Sequence, residues 1–176
     1  TGEDTLSLHD ALPIYQYSNI IKPEAVEEAL RFVQQGLLRE VKAEEKVLRI
    51  ILDHNITRDQ AEQLQQWRIH YRQIGFQVGR PEWDDQQEIL RYLHKTNRAT
   101  FFTRDFDFFL PELCHDNYCL VVIAFPALET ATNIRRLLRH QQFKTKAQRC
   151  GKVIKLSPGK ISWWEAGNRN QQYLIW

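Results

Sequence analysis

The chain has 176 residues, 43% hydrophobic and 26% charged, which suits one globular domain with a substantial core and excludes a disordered or fibrous chain. Its formal net charge is only +2, yet residues 131–164 contain no Asp or Glu while carrying Arg135, Arg136, Arg139, Lys144, Lys146, Arg149, Lys152, Lys155 and Lys160. A local excess of that size can hold a polyanion, or can be a plain solvated face. Three cysteines, Cys114, Cys119 and Cys150, form no disulfide framework, and no basic region followed by an apolar core opens the chain. Reduced thiols and a cytoplasmic location are expected, and no membrane span, because the longest apolar run, Cys119–Leu128, is short and broken by Pro126.

In chain order, Thr5–Ile14 resembles the translation of a DNA sequencing adapter, so residues 1–15 are set aside from fold reasoning. Residues 16–46 read as a helical extension and linker. Pro23 opens the helix, Gly36 closes it, and Val26, Ala29, Leu30 and Val33 share a face that could pack on the sheet or pair in a homodimer. Residues 47–176 form the main domain. Its first strand is Val47–Leu52, followed by a helix from Thr57 or Asp59 to about Ile74, closed by Gly75, and a short strand Phe76–Val78. Asp85–Glu88 has capping-box form and opens a helix with Ile89, Leu90, Tyr92 and Leu93 inward. Strands follow at Ala99–Thr103 and Cys119–Ala124, then a helix from Ala127 to about Gln141. Lys152–Leu156 and Lys160–Trp164, joined by Ser157–Gly159, read as a C-terminal β-hairpin, with Gln172–Trp176 as one more edge strand. The alternation predicts an α/β fold, a three-layer α/β/α sandwich on a mostly parallel sheet with right-handed crossovers.

Two of these strands end in carboxylates: Asp53 after the first, Asp105 and Asp107 after Thr103. Asp84 and Asp85 precede the intervening helix and could face the same edge. Such oxygen ligands suit Mg2+ or Mn2+, which activate water and neutralise charge on a phosphate. Each acid also has a plainer reading: Asp85 as one helix cap, Asp105 and Asp107 as caps of the next short helix, Asp53 closing a turn with Asn55. Arg104 could hold a phosphate or ion-pair with a neighbouring Asp. Trp163 and Trp164 point to opposite faces, so one is expected in the core and the other at a base or an edge contact.

The runs Ile50–Ile56, Trp83–Leu90 and Phe101–Phe108 resemble, in order and spacing, the small PIN-like predicted ribonucleases of bacteria. The resemblance covers about residues 47–165, with Thr103-Arg104-Asp105-Phe106-Asp107-Phe108 its most specific element. It implies a PIN-like α/β/α domain, a metal-dependent endoribonuclease with RNA as substrate, and an antitoxin protein as partner. Asp53, Asp85 or Asp84, Asp105 and Asp107 become the metal-holding and catalytic acids, while Arg104, Arg135, Arg136, Arg139, Lys144 and Lys146 would grip nucleic acid. Many relatives carry Glu after the first Asp, where this chain has His54. Magnesium accepts imidazole poorly and manganese better. A degenerate PIN-like module that binds RNA or a protein through its basic surface is the rival reading. A phosphoacceptor receiver fits less well, since after Leu52 the chain offers only Asp53-His54-Asn55.

Overall fold

The computed structural model describes residues 50–80, 83 and 86–176, and in the earlier part Glu27, Leu30, Arg31 and residues 33–35. The chain divides into two compact units, Thr1–Ala43 and Glu44–Trp176. In the first, the described residues are helical, with Leu30 and Val33 each 55% exposed, so at those positions the expected apolar stripe is unpacked. Val26, Ala29, segment 5–14, linker 39–46 and the start of the expected first strand lie outside the described residues.

The second unit runs β1 (Ile50–Leu52), α1 (Arg58–Gln66), β2 (Arg72–Gln73), α2 (Gln86–Lys95), β3 (Ala99–Thr103), β4 (Tyr118–Ile123), α3 (Thr130–Arg139), α4 (Lys146–Arg149), β5 (Lys152–Ser157), β6 (Lys160–Glu165) and β7 (Asn168–Ile175). One seven-stranded sheet has the order β2-β1-β3-β4-β5-β6-β7. β1 to β5 pair in parallel, and β5, β6 and β7 pair antiparallel, β5 turning into β6 across Pro158 and Gly159. The α/β class therefore holds, with a mixed sheet.

Period-two alternation divides the core between the faces. Leu52, Phe102, Val121, Ile154 and Trp163 meet Ala61 and Leu64 of α1 and Ile134 and Leu137 of α3 on one side. Ile51, Phe101, Leu120, Val122 and Val153 meet Ile89 and Leu93 of α2 on the other. Both tryptophans pack: Trp163 enters the first cluster, and Trp164 lies against the second with its ring 6.5 Å from Phe109. Only Trp163 is buried, at 8% exposure, as expected, and Trp164 on the opposite face is half-buried.

Three local departures have identifiable causes. The first helix stops at Gln66, eight residues before the expected Ile74, because Arg68 turns left-handed (φ 58°). The Arg68 N–H then reaches the Gln65 carbonyl (2.8 Å) and the Ile69 N–H the Leu64 carbonyl (3.0 Å), a Schellman stop without glycine. The second strand accordingly forms at Arg72–Gln73, and Phe76–Val78 is a hydrogen-bonded turn with a single bridge, Ile74 to Val78. Crossover hand also departs from expectation. The β1-to-β2 and β4-to-β5 connections step in opposite directions along the sheet, yet α1 and α3 share a face. The two crossovers therefore have opposite hands, and one is left-handed.

Among the described residues no helix is long and apolar enough to cross a membrane, and none of the three cysteines is in a disulfide.

Candidate active site

The chain passes from β1 to β2 on one side and later returns to β3 on the other, so β1 and β3 form a topological switch point, where open α/β sheets leave a crevice beyond their strand ends. Leu52 lies opposite Phe102, and Asp53 and Thr103 leave the sheet side by side. The Asp53 N–H donates to the Phe102 carbonyl (2.9 Å), fixing the carboxylate at this edge, where Asp53 is 2% exposed.

Its Oδ1 accepts from the His54 N–H (2.7 Å) and lies 2.9 Å from His54 Nδ1. Its Oδ2 accepts from Asn55 Nδ2 (2.8 Å) and from the Thr103 hydroxyl (2.5 Å). With a proton on Nδ1, every lone-pair direction of the carboxylate faces a donor. Burial pushes the Asp53 carboxyl above its ordinary range and Asp105 adds to the rise, opposed by donation from Thr103 and by His54. Two carboxylates that disfavour each other's charge are the chemistry a divalent cation relieves.

Thr103 and Asn55 tie the two strand ends together. The Thr103 hydroxyl accepts from Asn55 Nδ2 (3.0 Å) and from the Asp105 N–H (2.9 Å), and Asn55 Oδ1 accepts from the Arg104 N–H (3.1 Å). Asp105 caps a one-turn 3-10 helix, Phe106–Phe108, by accepting from the Asp107 N–H (2.9 Å). Two plainer readings thus hold alongside any metal role: Asp105 is the cap, with Asp107 inside the turn it caps, and the Asp53 carboxylate meets Asn55 in a turn whose backbone bond runs from the Ile56 N–H to the Asp53 carbonyl (3.2 Å). Asp107 is exposed, and its carbonyl accepts from Gln86 Nε2 (3.0 Å), which brings the first residue of α2 to this edge. Asp84 and Asp85 lie outside the described residues. Among those described, no three His, Cys, Asp or Glu side chains converge as a metal-ion group.

Matched against family models, curated proteins and solved structures, the chain resembles none of them significantly.

Of the basic residues, Arg104 alone belongs to the acidic edge. No ion pair to a neighbouring Asp is found for it among the described residues, and its buried Nε has no hydrogen-bond partner. The other cations expected to grip nucleic acid are placed by the direction of their helices. α3 starts at that edge, where the Ala131 N–H donates to Gln60 Oε1 (2.9 Å), and runs back across the sheet for about 15 Å. Its end and α4 therefore lie at the opposite edge, where Arg149 bonds Thr100 near the start of β3 and the Gly151 N–H bonds the Tyr118 carbonyl at the start of β4. Arg139, Lys144 and Lys146 belong to that far edge. Arg135 and Arg136 are spent on aromatic faces, 4.5 Å over Trp67 and 4.2 Å over Trp176. Arg149 is 3% exposed, donating to Thr100 Oγ1 (3.0 Å) and the Phe143 carbonyl (2.6 Å). Lys152 pairs with Glu165 (2.6 Å), and Lys155 and Lys160 lie over Phe109 and Tyr173. Arg149 is thus interior and Lys152 faces a carboxylate, while Arg136, Arg139, Lys144 and Lys160 stay exposed.

Sequence reasoning gave Asn55 only a turn role, where it bridges both strand ends, and overlooked Gln73. That buried amide donates to the Asp53 (3.2 Å) and Ile56 (2.8 Å) carbonyls and braces the loop after β1. No pattern signalled it, since β2 is only Arg72–Gln73 and both residues are polar.

Proposed function

We propose that this chain is a metal-dependent ribonuclease of PIN-like, α/β/α type that hydrolyses RNA phosphodiester bonds at the β1/β3 edge. The observation that carries this reading is the buried Asp53, bonded to Thr103 and influenced by Asp105 at two adjacent parallel strand ends. Asp53 and Asp105, with Asp107 and Asp84 or Asp85, would hold Mg2+ or Mn2+, and the bound ion would supply charge neutralisation and an activated water. Arg104, with its unpartnered Nε, would take a non-bridging phosphate oxygen. Asn55 and Thr103 position the Asp53 carboxylate. His54 occupies one Asp53 oxygen and must turn away before a cation takes that oxygen; it is 41% exposed and has room to move. The resemblance to PIN-like ribonucleases adds an antitoxin partner to the proposal, the apolar stripe of the N-terminal helix adds a homodimer, and the cysteine usage adds cytoplasmic action.

Labelled structured and single-stranded RNAs, incubated with Mn2+, Mg2+ or EDTA, test the reading. Metal-dependent cutting by the wild type, lost in Asp53→Asn and in Asp105→Asn, is the expected result. No cutting with either metal would overturn it.

A second reading, a degenerate PIN-like module that binds RNA or a protein without cutting, is favoured by one observation: three donors already meet the Asp53 carboxylate and His54 Nδ1 stands 2.9 Å from it. Salt-sensitive RNA retention without cleavage would select it.

A further inference from the structure

Next to the acidic edge, between α1 and β2, lies a cleft of about 420 Å3, a size typical of small-ligand sites. His54 lines it, so the residue whose Nδ1 sits 2.9 Å from Asp53 also borders this space. Its walls are close to neutral. Arg58 is paired with Glu62 at 2.8 Å, and besides His54 the remaining polar lining is Thr57, Tyr71 and the amides of Gln65, Gln73 and Gln77. Such walls suit a flat, uncharged, hydrogen-bonding ring better than a phosphate.

The decisive feature is Phe76, which lines the cleft and is 73% exposed. Its exposure is built into the loop. The N–H groups of Phe76, Gln77 and Val78 all donate to the Gln73 carbonyl (3.2, 3.1 and 3.3 Å). The Gly75 N–H returns to the Val78 carbonyl (2.8 Å), and the Gln73 N–H donates to Gln77 Oε1 (2.8 Å). Gly75 (φ 82°) and Gly79 (φ 70°) supply the left-handed turns that close this knot. A tightly bonded loop that projects an aromatic ring into water forfeits the apolar burial the ring would gain in the core.

We infer that the cleft receives an unpaired nucleobase of single-stranded RNA, stacked on Phe76, as the phosphate chain passes Asp53 and Asp105. The inference rests on the ribonuclease reading for the identity of the polymer. A paired base offers no free face, so the substrate class is single-stranded RNA.

Binding of a short fluorophore-labelled RNA to the full chain in EDTA, as a single strand and as a duplex, tests this without cleavage. Phe76→Ala weakens single-strand binding about tenfold, Phe76→Trp retains it, and the duplex binds more weakly and is indifferent to either change. A 2-aminopurine base in the strand is quenched on binding to the wild type and not to Phe76→Ala. Equal single-strand affinity of wild type and Phe76→Ala overturns the inference, as does equal weakening of strand and duplex. Complete failure to retain single strands also overturns it and leaves the cleft to a protein segment. The two readings fail separately. Phe76-dependent binding without cutting under Mn2+ refutes the nuclease and keeps the cleft; cutting with unchanged kcat/KM in Phe76→Ala does the reverse.

Discussion

At the residue scale, His54 is the most informative side chain, because its Nδ1 stands 2.9 Å from the Asp53 oxygen that a cation would need. His54→Glu removes that donor and adds a carboxylate, so Mn2+ and Mg2+ affinity should rise about tenfold, measured by titration calorimetry. Unchanged affinity would mean that this edge does not hold the ion. Arg149 is the other residue whose role inverted. In the sequence it was one cation among nine; in the fold it is a buried brace between β3 and the Phe143 carbonyl, its guanidinium pushed below its ordinary range by burial. Arg149→Ala should lower stability by about 3 kcal/mol, the loss of two bonds from a charged donor, read from urea midpoints. A change below about 0.5 kcal/mol would refute the brace.

At the element scale, strands were the legible part. β3, β4, β5 and β6 fall within a residue or two of their expected bounds, because runs such as Phe101-Phe102 and Leu120–Ile123 are buried on both faces and bounded by turn residues. The end of α1 was not legible, since a left-handed Arg68 does what glycine ordinarily does, and residue type gives no sign of it. Arg68→Gly should therefore stabilise the protein by about 0.5 to 1 kcal/mol. Gly79→Ala should do the opposite. At φ 70° a Cβ there would stand 2.3 Å from Cε3 of Trp83, so the ring must move or the turn must open. Thermal unfolding of both variants separates these signs, and a Gly79→Ala protein as stable as the wild type would refute the close approach. The acidic edge was half legible. Asp53 and Asp105 could be placed from their strand ends, whereas Asn55, Gln73 and the Phe76 cleft depend on loop geometry that hydrophobic pattern does not encode.

At the scale of the whole molecule, charge and burial are distributed differently from what composition suggests. The acid-free stretch looked like a polyanion face, but most of its cations serve aromatic rings, one carboxylate and the interior. Direction along α3 and α4 then takes Arg139 and Lys144 away from the acids, and no periodicity reports direction relative to a distant strand. The central strand β4 also sets the response to alkali. Burial pushes the Cys119 thiol from 9.0 and the Tyr118 phenol from 10.0, each up to about 12. Both are acids raised in the folded state, so above their unfolded values the unfolded chain releases protons that the native chain keeps. Stability contributed below about pH 9 is therefore lost as pH rises toward 12, by up to about 1.4 kcal/mol per group and pH unit. Cys119→Ala should lower stability at neutral pH yet flatten this alkaline decline, seen by comparing urea midpoints at about pH 8 and about pH 10.5. A parallel decline in both proteins would remove Cys119 from the account.

The hydrogen bond between Thr103 and Asp53 spans 50 positions of the chain. A polypeptide emerging from the ribosome at about 5 to 20 residues per second thus exposes Asp53 for several seconds before its partner is synthesised. β1 gains its β3 neighbour only then, and β3 in turn needs β4. A nascent or truncated chain ending before Thr103 carries the first acid but lacks the second strand end. The acidic edge therefore exists as a unit only once β3 and β4 have followed β1 out of the ribosome.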